Sequence, residues 1–298
     1  MKPGFFIYVS LAVDLLIAVS KFIAAAFTGS ASMLSEGVHS VIDAVSQLLL
    51  LWGIKTSKKK PDEKRPFGYG KELYFWSFMV SLILFVVGGC ISFYEGINRI
   101  KNPGFDGNPV WNYAVLAIAF IFTLISMASA LKTFNRQRAE VPFWEALVKT
   151  KDPSTIIVLL GDIGDMLGLA IAFCGVFFGR LFHNPYFDGI ASIIIGIILL
   201  GISGFLLREC KSLLMGESIN RKTLRSITKS AENDEAVIRV KKNYSMYLAP
   251  DELLLHLDIV FKAALNTKDI TDANERIIAG IQKQFPRIKQ IFIEAVAP

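Results

Sequence analysis

Ser35-Glu36-Gly37-Val38-His39-Ser40-Val41-Ile42-Asp43 is a polar knot inside an apolar run that extends from about Ser32 to Ile54. His39 and Asp43 are four residues apart. On a helix that spacing puts both on one face, one turn from each other. Ionisable groups in a bilayer-spanning helix are costly, so they generally face a bundle interior or a watery cavity. An imidazole and a carboxylate on one face make half of a site for a borderline divalent metal. The pair alone fits equally well a buried His–Asp contact that only ties two helices together.

The run is one of several. The chain has 298 residues, 53% of them hydrophobic, and a mean hydropathy of +0.46. A soluble domain rarely reads so apolar. Six spans can be placed at about 5–27, 32–54, 73–98, 110–132, 154–180 and 187–207, each of bilayer-crossing length. Thr28-Gly29-Ser30-Ala31 is short, so spans one and two should form an antiparallel hairpin. The first run carries Asp14 and Lys21 and no convincing cleavage site, so it reads as a retained span rather than a signal peptide. Cys90, Cys174 and Cys210 form no CxxC, which argues against a disulfide scaffold or a cysteine zinc finger.

Formal net charge is +6, and its placement sets the topology. The densest basic run, Lys55 to Arg65, follows span two, and Lys132, Arg136, Arg138, Lys149 and Lys151 follow span four. Both should lie in the cytoplasm, with both termini on that side. The loops at Asn108 and at Phe182-His183-Asn184-Pro185 are less basic and should lie outside, with His183 exposed to solvent. The Lys run reads as topology and lipid contact.

After Leu207 the composition turns polar. Residues 1–207 are therefore expected to form the membrane domain and 208–298 a small α+β domain. Asn220 to Ala231 reads as a helix, Ala236 to Tyr247 and Leu253 to Phe261 as strands. Asp269 to Gln284 reads as a helix with Thr271 or Asp272 near its start, and Ile288 to Val296 as a last strand.

Span five holds Gly161-Asp162-Ile163-Gly164-Asp165, two carboxylates in a helix of lipid-compatible composition. That is expensive unless a cation compensates them. A divalent ion held between spans two and five is the simplest compensation, with His39, Asp43 and Asp162 as ligands. Asp165, about one turn on, reads as a fourth ligand, a proton carrier, a supporting hydrogen-bond partner, or only a polar contact between helices.

At this point the chain resembles the cation diffusion facilitator family of divalent metal transporters, most similar to the branch of the ninth vertebrate zinc transporter and its prokaryotic relatives. The resemblance runs through Gly29 to Asp43, Arg65-Pro66-Phe67-Gly68-Tyr69-Gly70-Lys71-Glu72, Phe93-Tyr94-Glu95-Gly96 and Asp152-Pro153-Ser154. It continues through Leu160-Gly161-Asp162 to Leu167-Gly168, then Asn184-Pro185-Tyr186-Phe187-Asp188 and Leu213 to Ser218. It implies six transmembrane helices, a cytoplasmic α+β tail of the ferredoxin-like kind, a homodimer, and efflux of a divalent metal, zinc first, against protons. His39, Asp43 and Asp162 match the family's transport ligands. The fourth family position, often His, is Val158 here, and an alkyl group cannot ligate. Glu36, typical of the branch, either helps or only packs. Arg65 and Tyr69 stand where a loop zinc site would need His, so no metal is expected there. In the tail, His256 and Asp258 share a strand face and are weak candidates beside a plain strand histidine. Opposite charges on Lys71 and Glu217 would pair where span three meets the tail.

The chemistry implied is exchange of protons for a cation at groups that bind metal only when deprotonated. The transported metal and the lipid membrane are the partners expected; no resident cofactor and no nucleic acid is. An inner or plasma membrane is the expected site. Manganese, iron or cobalt would suit the same mechanism, and a passive channel fits the hydropathy. No HExxH and no glycine-rich phosphate loop is present, so neither a metalloprotease nor an ATP-driven pump is supported, and the chain does not read as an enzyme.

Overall fold

The computed structural model describes residues 5–28, 31–102, 109–138 and 141–297. The tight connection at Gly29 and Ser30, the loop at Asn108 and the side chains of Glu36 and His39 lie outside the described residues and side chains. Helices come first: α1 (Phe5–Thr28), α2 (Ala31–Ser57) and α3 (Lys71–Ile83), which runs through a π-helical stretch (Leu84–Ile91) into α4 (Ser92–Lys101). Then follow α5 (Pro109–Arg138), a short α6 (Phe143–Lys149), α7 (Pro153–Leu181) and α8 (Tyr186–Met215). Among the described residues, four stretches are long and apolar enough to cross a membrane: Lys71–Lys101, Leu116–Arg136, Pro153–Leu181 and Tyr186–Met215. Helices α1 and α2, with 24 and 27 residues, occupy the first two expected spans.

Local chemistry sets several of these boundaries. Asp152 caps α7 by accepting from the Ser154 backbone N–H, and Pro153 occupies the first turn, where its missing N–H costs nothing. Helix α6 lies within the basic segment that the sequence places after span four. It is only seven residues long, too short for a periodic signal. The π-helical stretch holds Gly88 and Gly89, and a side chain on Gly89 would run into Leu200 of α8 at 2.6 Å. Further along, Gly96 of α4 and Gly189 of α8 face each other, so backbone meets backbone, the kind of contact membrane helices favour. The Arg99–Asp188 ion pair joins the same two helices. Helix α5 packs against α1 and α7.

The Cα packing divides the chain into two compact units: Met1–Thr56 with Glu72–Lys211, and Ser57–Lys71 with Ser212–Pro298. The second contains α9 (Arg221–Glu232), β1 (Val237–Ala249), β2 (Glu252–Phe261), α10 (Thr267–Gln284) and β3 (Ile288–Ala295). Strand order is β1-β2-β3, β1 antiparallel and β3 parallel to the central strand. Period-two alternation puts Leu255, Leu257 and Ile259, all at 0% exposure, on the covered face. They pack with Ile227 and Ala231 of α9 and Ala273, Ile277 and Ile281 of α10. Helix α10 starts two residues before its expected first residue, because Asn266 and Asp269 form a reciprocal capping box upstream of Thr271 and Asp272.

The loop Ser57–Lys71 belongs to this second unit, which its basic composition did not suggest. Phe67 meets Phe292 edge-on, and a Cβ on Gly70 would lie 2.5 Å from the Leu248 carbonyl oxygen. The close seating of Gly70 on the end of β1 requires glycine.

Candidate cation site

Asp43 of α2 and Asp162 and Asp165 of α7 line one cavity of about 60 Å³ in the helical unit. The structure therefore brings together three of the carboxylates that the sequence singled out. Val158, one turn before Asp162, lines the same cavity at 1% exposure, so the alkyl group does occupy the wall. His39 and Glu36 lie one and two turns before Asp43 on α2, their side chains outside the description.

Asp162 is 6% exposed. Both of its oxygens accept from Ser126 Oγ of α5, at 3.1 and 2.9 Å. A hydroxyl shared over two carboxylate oxygens orients the group but carries no positive charge, and an ionised carboxylate at this burial is costly. Sequence reading did not find Ser126. A serine in a span ordinarily bonds its own backbone one turn back, so nothing marks one that reaches another helix.

A second, wider cavity of about 400 Å³ shares Asp14, Asp43 and Asp165 with the first and adds Lys21, Glu95, Arg99 and Asp188. Lys21 Nζ donates to Ser40 Oγ at 3.1 Å, tying α1 to α2 between His39 and Asp43 in sequence.

The second unit holds another constellation. On the sheet face away from α9 and α10, His256 Nε2 lies 2.9 Å from Asp258 Oδ1 and 3.5 Å from Glu294 Oε2. Each residue offers one ligand atom, and these atoms all lie within 4.8 Å of one another. Glu294 joins because β3 runs parallel to β2 with Asp258 opposite Glu294, a pairing that no local pattern reveals.

The loop residues Arg65 and Tyr69 are tied into a turn. Tyr69 donates to Asp62 Oδ2 at 2.6 Å, and the Arg65 guanidinium stacks over the Tyr69 ring at 4.6 Å. Asp62, receiving those bonds, is held below the ordinary carboxylate range, first by the Tyr69 hydroxyl. Lys71 Nζ donates to Met246 Sδ at 3.8 Å, and the neighbouring Tyr247 N–H donates to the Glu217 carbonyl.

Comparison with known proteins adds the lineage. The family model described as "Cation efflux transmembrane domain" matches residues 7–215. The chain is 31% identical over 237 residues to the Homo sapiens protein "Proton-coupled zinc antiporter SLC30A9, mitochondrial", which covers 79% of this chain and 42% of the human one. It therefore spans less than half the length of that relative. It is 23% identical to the "Manganese efflux system protein MneP" of Bacillus subtilis over 96% of this chain and 93% of that one. It is 29% identical to the "Magnetosome protein MamB" of Magnetospira over 80% and 75%. With apolar helices long enough to span, a matching domain over 7–215 and carboxylates gathered between α2 and α7, the chain is an integral membrane protein of the cation diffusion facilitator family, near the branch of the ninth vertebrate zinc transporter.

Proposed function

We propose that the protein exports a divalent metal cation, zinc first, in exchange for protons. The observation that carries this reading is the shared cavity of Asp43, Asp162 and Asp165, with Asp162 at 6% exposure. A buried carboxylate without a cationic partner is expensive, and a dication that visits and leaves is the compensation transport requires. His39 completes the set with a nitrogen from the turn before Asp43. The metal loads while these groups are deprotonated, and protons arriving from the opposite side displace it. The wide cavity that shares Asp43 and Asp165 supplies the hydrated approach, and alternating access between the two sides is the working cycle. Names of relatives that print zinc and manganese support a divalent substrate and keep manganese, iron or cobalt as the alternative.

The same reading takes α1, α2, α3 with α4, α5, α7 and α8 as six spans, the tail as a ferredoxin-like domain, and a homodimer as the working form. Both termini lie in the cytoplasm, in an inner or plasma membrane. A weaker tail site at His256, Asp258 and Glu294 is supported by the closeness of their ligand atoms.

Replacing Asp162 by Ala in the full chain should abolish metal flux into proteoliposomes while helical content is kept. Wild-type flux in that variant would refute the assignment. Flux that persists without a pH gradient and ignores one when imposed would point to a passive channel instead.

A further inference from the structure

Helix α1 carries an acid into the site that neither the α2–α7 ligand pattern nor the resemblance assigns. Asp14 lines both cavities, the small one with Asp43, Asp162 and Asp165 and the wide one with Asp43 and Asp165. Four aspartates around a cavity are not in themselves a binding site. Two residues of the same wall that carry buried, unpartnered oxygens make the difference. Ser46, 3% exposed, lines the small cavity, and its Oγ has no hydrogen-bond partner among the described residues. Gln47 lines it too. Its amide nitrogen is spent on Ser10 Oγ at 3.0 Å, and its buried Oε1 accepts no hydrogen bond among the described residues. Buried polar oxygens without donors cost free energy that a bound cation or its water would recover.

We propose that α1 is part of the cation site, with Asp14 supplying a carboxylate to the transported ion and the oxygens of Ser46 and Gln47 turning the small cavity into an oxygen-lined cage. The proposal rests on the transport reading above. It also answers the Val158 problem: where an alkyl group removes one ligand from α7, a neighbouring helix provides another. Chemistry then follows from the donors. Carboxylate, amide and hydroxyl oxygens suit manganese-like ions, whereas imidazole suits zinc. Asp14 and Gln47 should thus raise the affinity for Mn2+ more than that for Zn2+.

The test uses the full chain in lipid nanodiscs, with Mn2+ and Zn2+ binding measured by calorimetry for the wild type, Asp14→Asn, Gln47→Leu and Asp162→Asn. Asp14→Asn and Gln47→Leu should weaken Mn2+ by about tenfold or more, and Zn2+ by less, the size expected when a group supporting a metal is lost. Where Asp14→Asn fails to fold, the wild type decides: Mn2+ should shield Asp14 from a hydrophobic carbodiimide, read by peptide mass spectrometry. Wild-type affinities for both metals in Asp14→Asn, or labelling of Asp14 indifferent to Mn2+, overturns the role of α1. If Asp162→Asn also binds both metals as the wild type does, the transport reading itself falls.

Discussion

The helical unit and the tail each gather carboxylates, and they hold them in opposite ways. In the helical unit Asp162 is 6% exposed and its oxygens meet one hydroxyl, Ser126 Oγ. In the tail His256, Asp258 and Glu294 stand on the sheet face away from α9 and α10, their side chains 31%, 14% and 64% exposed. Water reaches Glu294 and part of His256, and the imidazole lies beside both carboxylates, so the second group coexists at lower cost. The first group lacks that relief, and an ionised carboxylate there is costly without a partner. The same residue types therefore carry different weight according to where the fold places them.

The largest effect should come from setting the two against each other. Asp162→Ala is expected to remove metal flux in proteoliposomes, whereas His256→Ala should leave the transport step in place and change only metal bound by the tail. Equal loss of flux in both variants would break the contrast. A smaller but still severe effect is expected at the α4–α8 contact. A Cβ at Gly96 would lie 2.7 Å from the Ile193 backbone nitrogen, which cannot move aside as a flexible side chain can. Gly96→Leu should cost about 1–3 kcal/mol or more by overpacking, read as a lowered unfolding temperature in detergent. No change there would mean that α4 and α8 do not meet at this glycine in the folded protein.

Ser126→Ala comes next. It leaves the proposed ligands intact and removes only the hydroxyl that orients Asp162, so metal affinity should fall by about tenfold with flux reduced rather than lost. Affinity unchanged by this variant would show that the metal alone positions Asp162.

How much of this was readable from residues alone follows the range of each interaction. The long helices were legible because apolar runs are local, as were β2 and its alternation from Leu253 to Ile259. Asp43, Asp162 and Asp165 were legible because a charge in an apolar run is conspicuous whatever it touches. Asp14 and Lys21 stood out in the same way, yet seven residues of spacing on α1 do not say which helix they face. Ser126, Glu294 and the orphaned Ser46 and Gln47 oxygens carry no such mark, since their meaning lies in packing between distant segments. The seating of Ser57–Lys71 in the tail unit was hidden for the same reason, behind a basic composition that reads as topology.

The smallest expected effect lies in the tail and sharpens what exposure does to an ion pair. Arg276 donates to both oxygens of Asp234 at 2.9 Å, and the Ala236 backbone N–H donates to one of them. The arginine hydrogen bonds, ahead of the backbone one, hold the Asp234 carboxyl below its ordinary range. Because the folded state lowers this pKa, the stability it contributes is present above the unfolded aspartate value of about 3.9 and is lost as pH falls through the folded one. Between those two values the unfolded chain binds the proton that the folded chain refuses, so acid favours unfolding. Hydrogen exchange of the full protein should therefore show tail amides around α9 and α10 losing protection below about pH 4. Arg276→Gln should flatten that acid limb while changing protection at pH 7 only slightly, as suits a solvent-screened pair. The cavity carboxylates, out of water, should give the opposite result: there a single substitution should change the proposed metal binding at neutral pH. If Arg276→Gln instead destabilises the tail strongly at pH 7, the pair is more than a screened surface contact, and exposure alone does not separate the two units.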